Sequence, residues 1–470
     1  MLLEGLEISE VLQSDLLSVE TFRCDAEYFS KLFIRDKKAL NTNAKNFTTL
    51  KNFGVEVDAS AFYPSIEPAY GQGYLPFLRV ADVNKTIDYE SATTIPVELL
   101  SIHKTIKSVQ PNDIVLTKGG TIARVGYVNK HAAVSRDLIF INSSKLKVED
   151  ANFLYLYFLT SFANRLLVRS SSQSVQAHLT LTLVKSIPCL KAGAVFKRQL
   201  LQIVNASNTA KAQSRSDYCQ AESLLLQTLG VAGFSPSTEG INIKSFKNSF
   251  AATGRLDAEY YQPKFDELEA KIAETHALVP LGSVLTLNQR GTQPDYSEEG
   301  LPVINSKHVR EGEVLLFDNR VANLPDKKNS LYIQKGDVLI NGTGVGTIGR
   351  SAPYLYEQNA IPDNHVTILR TDKLNPIFLS VYLNSIAGKY QVDKYFKGSS
   401  GQIELYPKDI DCFYVPIVDV TIQTKIADLI KESFSLKAES ERLLDVAKRA
   451  VEIAIEQDEA TGMTYIETNS

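Results

Sequence analysis

Apolar and polar positions alternate in short runs along much of the chain, and the runs come twice in one order. IKSVQPNDIVLT and YIQKGDVLI each read as a turn followed by a short strand, with Pro-Asn-Asp and Lys-Gly-Asp as the turns. DLIFI and HVTIL read as strands. Residues 152–169 and 375–396 carry helical periodicity, and Pro376 suits a first helical turn. Further on, Ile422, Leu429, Leu436, Leu443 and Ala450 recur every seven residues. Ile426, Ala447 and Ala454 fill part of the neighbouring stripe, while Ser433 and Ser440 interrupt it. That spacing predicts one helix of about 37 residues. A counterpart runs from Phe196 to Leu229, apolar at both ends and polar from Ser207 to Asp217. Neither stripe is rich enough to stand alone, so the two helices are expected to pair. Leu256 to Thr275 reads as a further helical piece able to join that bundle.

The repetition extends to the letters. RCDAEYF at 23–29 returns as RLDAEYY at 255–261, and YLPFLRVADV at 74–83 returns as GLPVINSKHV at 300–309. VQPNDIVLTKGGTIARVG at 109–126 matches IQKGDVLINGTGVGTIGR at 333–350, and AAVSRDLIFI at 132–141 resembles NAIPDNHVTIL at 359–369. YFLTS at 157–161 matches VYLNS at 381–385, and Ile187-Pro188 matches Val415-Pro416. Blocks in one order, spaced by about 230 residues, mean a tandem of whole modules rather than a solenoid. The expected fold is mixed α/β: two globular domains separated by long paired helices, duplicated with an approximate two-fold relation.

Composition changes this picture little. An apolar share of 44% is ample for packed cores. Cys24, Cys189, Cys219 and Cys412 are scattered, form no CxxC pair, and suggest reduced thiols and no structural metal. The first residues carry acids where a secretory leader would be basic, and no 18-residue apolar run occurs, so a soluble cytoplasmic protein is expected. Charge matters more. The net is -4, yet residues 101–200 hold 14 Lys and Arg against four Asp and Glu, a local +10. Residues 321–420 balance at ten of each, and residues 421–470 have six bases against ten acids. A basic module beside acidic helices can still bind DNA, because the local field decides.

Gly344-Val345-Gly346-Thr347-Ile348-Gly349 is a literal GxGxxG. A phosphate cradle needs a helix to begin there, and RSAPYLYEQNAIP starts none. A tight turn between short strands is the better local reading. Such a turn can serve DNA: Thr117, Lys118, Thr121 and Arg124, with Asn341, Thr343, Thr347 and Arg350, set hydroxyl, amide and cationic groups around a glycine loop. The later polar tracts offer Arg169, Ser172, Gln173 and Gln176 in the first half. Lys397, Ser399, Ser400 and Gln402 are their counterparts in the second. Glutamine can pair with adenine, and serine can meet phosphate or base. No metal-protease or nuclease arrangement stands out among His131, His308 and His365. Asp113 and Asp337 are expected to close turns. Asn375-Pro376-Ile377-Phe378 superficially approaches an adenine methyltransferase motif but reads as a helix start.

GDVLINGTGVGTIGR, its weaker twin DIVLTKGGTIARVG, the IPDNHVTIL block, the SSGQIELYPKDIDCFYVPI tract and the helix from Thr421 resemble type I restriction enzyme specificity subunits. The resemblance covers nearly the whole chain. It implies a subunit without a catalytic centre or bound cofactor. Each of its two target-recognition domains reads one half of a split sequence in double-stranded DNA. Methyltransferase subunits would dock on the helices and methylate adenine, and an ATP-dependent restriction subunit can join. S-adenosylmethionine, ATP and Mg2+ belong to those partners, and no membrane is involved. Carried onto this sequence, 1–43 is an N-terminal conserved segment and 44–195 the first recognition domain. Residues 196–276 form a central spacer, 277–420 the second recognition domain, 421–457 a spacer helix and 458–470 a flexible tail. Two rival readings stay open on the sequence: a non-catalytic protein–protein scaffold of duplicated α/β domains, and a stand-alone DNA-modifying enzyme.

Overall fold

Ile114, Val115, Leu116 and Thr117 are all buried, and so are Val338, Leu339, Ile340 and Asn341. A strand buried on both faces belongs inside a sheet covered on both sides. Both runs take that place in the computed structural model, which describes residues 8–17, 26, 28–42, 44–62, 65–89, 91–170, 178–238, 241–323, 331–398 and 403–470. The chain divides into two units, residues 1–210 with 438–470 and residues 211–437.

In the first unit an antiparallel sheet runs in the order Glu56–Ala59, Leu138–Asn142, Ile114–Thr117, Val125–Tyr127. Side chains alternate across it. Ile114, Leu116, Ile139 and Ile141 share a core with Phe153, Leu156 and Tyr157, while Val115, Leu138 and Phe140 face a second core with Leu78, Val83 and Val109. A second sheet orders Thr94–Ile95, Leu75–Leu78, Ala132–Val134, Ser108–Val109, and its central pair is parallel. Phe47–Thr49 pairs with Pro188–Leu190.

The second unit repeats the first antiparallel sheet and the central parallel pair of the second sheet. Its antiparallel sheet runs Leu287–Arg290, Val366–Arg370, Val338–Asn341, Ser351–Pro353. Leu301–Ile304 lies parallel to Ile361–Pro362, with Val303 opposite Ile361 as Phe77 is opposite Ala133. Leu278–Pro280 pairs with Tyr414–Pro416. The expected turns are present. Asn112 and Gly336 both take a left-handed backbone, φ 79° and 92°, which asparagine and glycine tolerate best. Asp113 and Asp337 close them, each accepting from the backbone N–H three residues earlier, Gln110 or Gln334, at 2.8 Å.

Helical expectations need refinement. Residues 152–169 fall in two helices, Val148–Leu159 and Ser161–Ser170, and 375–396 in Pro376–Asn384 and Ile386–Tyr395. Thr160 and Ser385 make the breaks. Each takes an extended backbone, donates its hydroxyl to the carbonyl three residues back at 2.6 Å, and accepts from an N–H of the next helix. Short hydroxyl side chains compete with the helical ladder in this way. Thr160 therefore corresponds to Ser385, one residue off the register of the YFLTS and VYLNS match.

Lys31–Thr42 and Pro263–Ala273 begin 232 residues apart, as their preceding motifs do. The first packs on Ser161–Ser170 through Arg165, whose guanidinium donates twice to buried Asp36 at 2.6 and 2.9 Å. The second packs on Ile386–Tyr395, with the Phe265 and Tyr390 rings 5.8 Å apart. Its helix starts at Pro263 rather than Leu256, which is exposed.

The long helices are Ala194–Thr228 and Val420–Glu456. They pair as expected, within each unit. In the first unit Phe196, Leu200, Ile203 and Val204 share a core with Leu443, Ala447, Ala450 and Ala454. In the second, Ala221, Leu225 and Leu229 share one with Ile426 and Ile430. Residues 458–470 correct the expectation of a flexible tail. Glu459–Asn469 is a helix whose Asp458 side chain accepts from Thr461 N. Its Ile466 is buried in the first unit's core, and Glu459 accepts from the Gly193 N–H at 3.0 Å. Small Gly462 and apolar Ile466 give this short segment a face to bury.

Candidate nucleic-acid interface

The glycine-rich segments are hairpins joining Ile114–Thr117 to Val125–Tyr127 and Val338–Asn341 to Ser351–Pro353. No helix follows either directly, so the phosphate-cradle geometry is absent. Thr117 and Asn341 occupy one strand position and are fully buried. Thr117 accepts from Arg124 N at 2.9 Å and donates to Thr121 O; Asn341 donates to Ser306 O at 3.1 Å. These two hold the hairpin rather than face outward. Ala123 (φ 61°) stands where Gly349 (φ 80°) stands in the second unit, so the degenerate loop keeps the same left-handed residue.

Thr121 is exposed and Thr347 half-buried, the latter donating to Thr343 O at 3.0 Å. Arg124 and Arg350 follow at equivalent positions. Both are half-buried, and neither guanidinium makes a hydrogen bond or ion pair among the described residues. Lys118, in the first hairpin, is half-buried too. The Thr343 hydroxyl lies 2.7 Å from His365 Nδ1.

The flanks of the polar tracts meet these hairpins. Leu179 N donates to Lys118 O at 3.0 Å, and Leu405 N donates to Gly342 O at 2.8 Å. His178 crowds Gly119, where a Cβ would lie 3.0 Å from its ring. Ser172, Gln173, Gln176, Ser399, Ser400 and Gln402 lie outside the described residues. Arg169 stacks 4.0 Å from the Tyr28 ring centroid, as Lys394 sits 5.4 Å from Tyr260. It is thus a packing cation on the N-terminal motif. Lys397 is paired with Asp409 at 2.8 Å.

One group of residues escaped the sequence reading. Where the parallel strands of the first unit end, a recess of about 370 Å³ opens between Phe62, Tyr70, Phe77, Arg79, Ser135 and Arg136. Phe62 and Phe77 are buried, Arg79 half-buried and Arg136 exposed. Asp82, itself 2% exposed, accepts from Arg79 N at 2.8 Å and lies 3.6 Å from its Nε. Burial pushes the Tyr70 phenol up, and Arg79 and Arg136 oppose the shift, so both cations act on that hydroxyl. Among the described residues the Ser135 hydroxyl is buried with no hydrogen-bond partner. The recess adjoins the hairpin, because Lys118 N donates to Asp137 O at 2.8 Å. Gly342 N makes the same bond to His365 O in the second unit, also at 2.8 Å. There the strand ends carry Asn305 and Asn364 in place of Arg79 and Arg136. The signal lay in the aligned blocks, where FLR stands against VIN.

Among the described residues no group of three or more His, Cys, Asp or Glu side chains is arranged to hold a metal ion. Cys189 is buried and free, Cys219 and Cys412 exposed and free. Among the described residues no helix is long and apolar enough to cross a membrane.

The sequence matches the family described as Type I restriction modification DNA specificity domain over residues 55–189 and 274–445, more than half of the chain. No curated protein matches it. The chain is similar to the S subunit of a type I restriction-modification system from M. genitalium. The two are 12% identical over 89% of this chain and 95% of that one, with a TM-score of 0.38. It is also similar to the HsdS subunit from Thermoanaerobacter tengcongensis, at 13% identity over 88% and 96%, with a TM-score of 0.28.

Proposed function

The chain belongs to the type I restriction-modification DNA specificity family, and from that premise we propose that it reads a split sequence in double-stranded DNA for partner enzymes. It is a specificity subunit and not the catalytic one. In this reading residues 44–195 and 277–420 are the two recognition domains, each engaging one half of the target. The paired helices hold the spacing between halves and dock methyltransferase subunits, which methylate adenine with S-adenosylmethionine. An ATP- and Mg2+-dependent restriction subunit joins the same assembly.

The observation that carries this reading is the matched pair of hairpins, each presenting a half-buried arginine, Arg124 or Arg350, without a side-chain partner among the described residues. A cation left unpaired beside a glycine turn suits a phosphate or a base edge. Phosphate contacts supply affinity and salt dependence, and base-edge contacts supply about 1–3 kcal/mol of discrimination each. The local +10 of residues 101–200 assigns more of the nonspecific attraction to the first domain.

Methylome sequencing of cells expressing this chain with the methyltransferase encoded beside it tests the proposal. The expected result is adenine methylation at one bipartite sequence, and exchanging residues 44–195 for those of a relative should change one half of it. Absence of methylation with the intact pair, or an unchanged motif after the exchange, would overturn it.

A further inference from the structure

The exit of the parallel strand pair is built alike in both units and furnished differently. Phe77 faces Ala133 and Leu78 faces Val134 in the first; Val303 faces Ile361 and Ile304 faces Pro362 in the second. The next residue of each strand is Arg79 or Asn305, and two past the register pair stand Arg136 and Asn364. The same backbone hydrogen bond ties each exit to its hairpin. A phosphate contact would be cationic in both, as Arg124 and Arg350 are, because every half-site presents the same phosphates. The exit does not follow that rule: two guanidiniums are replaced by two carboxamides. Those are the side chains whose forks match guanine O6 and N7, and adenine N6 and N7, respectively.

We propose that this exit is the base-reading position of each unit, with Arg79 and Arg136 taking guanine edges in one half of the target and Asn305 and Asn364 taking adenine edges in the other. The inference rests on the split-target reading above. The first unit is preorganised for the task. Asp82 accepts from the Arg79 backbone N–H and lies 3.6 Å from its buried Nε, and Arg79 lines a recess with buried Phe62 and Phe77. A fork held from behind loses little freedom when it meets a planar partner. In the second unit Asn305 uses Oδ1 to accept from Lys307 N at 3.1 Å, so contact with adenine replaces or shares that bond. The Asn364 carboxamide makes no hydrogen bond among the described residues.

The test is the methylated motif directed by the full chain with its methyltransferase partner, comparing wild type with R79Q, R136Q, N305A and N364A. The arginine variants should relax preference for guanine roughly ten- to a hundred-fold at positions in one half and leave the other half unchanged. The asparagine variants should do the same for adenine in the opposite half. If R79Q abolishes methylation everywhere, exposed R136Q decides, since its loss cannot disturb a core. Unchanged motifs in variants that still direct methylation would overturn the inference, and so would uniform weakening at every sequence, the mark of a phosphate contact. If wild type itself directs no bipartite methylation, the underlying reading fails instead.

Discussion

Ser214 and Ser433 donate their hydroxyls to each other's backbone carbonyls, both at 2.7 Å, between the two long helices of the second unit. In the first unit Ser207 donates to the Ser440 carbonyl at 2.7 Å, with the two hydroxyl oxygens 3.0 Å apart. The serines that interrupt the heptad stripe are thus matched pairs. Being small, they let the helices approach; Ser207, Ser214 and Ser433 donate to a carbonyl of the facing helix, while the Ser440 hydroxyl meets that of Ser207. We expect S433A to cost about 0.5–1.5 kcal/mol, one buried hydrogen bond. S433L should cost about 1–3 kcal/mol, because the larger side chain has no room at the contact. Urea denaturation of the full chain checks both, and a stabilising S433L would show the contact to be loose.

Arg124 and Arg350 give a prediction about salt. If each meets one DNA phosphate, removing it lowers the slope of log binding constant against log salt by about 0.9. R124A and R350A should each show that loss and the double variant about twice it, read by fluorescence anisotropy over a salt series. A base-reading residue would instead weaken the cognate sequence alone. Unchanged slopes would mean that the hairpin arginines stay off the backbone.

The duplication, the turns and the pairing of the long helices were legible in the sequence because each leaves a periodic or repeated mark. Asn112 and Gly336 share no letter, yet both tolerate the left-handed backbone their turn imposes, so position and not identity carried the repeat. The helix breaks at Thr160 and Ser385 were not legible. A hydroxyl residue inside an apolar periodic run looks helical until its own carbonyl bond is seen. Nor was the docking of residues 458–470 visible, since Gly462 and Ile466 alone make no stripe. Among the candidate contacts, Asn341 and Arg169 have partners that lie far off in sequence: Ser306 for Asn341, Tyr28 for Arg169. Exposure is a tertiary property, and polarity is a poor guide to it. Arg79 and Arg136 were missed for the converse reason, as only the parallel pairing of their strands brings them to one recess.

Burial holds the His308 imidazole below its usual range, and Lys307 adds to the effect. Its Nδ1 accepts from Asn305 N at 3.1 Å, and Nε2 is buried. The neutral ring is the folded form, so the unfolded chain takes up the proton more readily. The stability this residue contributes is complete above about pH 6.5, the unfolded value, and is lost as pH falls through it toward the lower folded value. Thermal unfolding between pH 7 and 5 should therefore show a downward slope in Tm that H308N, which keeps an acceptor for Asn305, makes shallower. Equal slopes in the two proteins would refute this assignment.

Gly462 decides whether the last helix is docked. In a helix free in solvent, Gly→Ala is stabilising by about 0.8–1.0 kcal/mol, because glycine alone sacrifices backbone freedom there. Here a Cβ would lie 2.9 Å from the Ala450 carbonyl oxygen and 3.2 Å from the Phe196 ring, inside the first unit's core. Alanine must push the helix away or displace a ring that is fully buried. Overpacking of this kind costs about 1–3 kcal/mol, enough to reverse the sign set by propensity. G462A should lower the denaturation midpoint, and limited proteolysis should cut near Asp458 sooner than in wild type. A rise in stability would mean instead that the helix stands apart from Phe196.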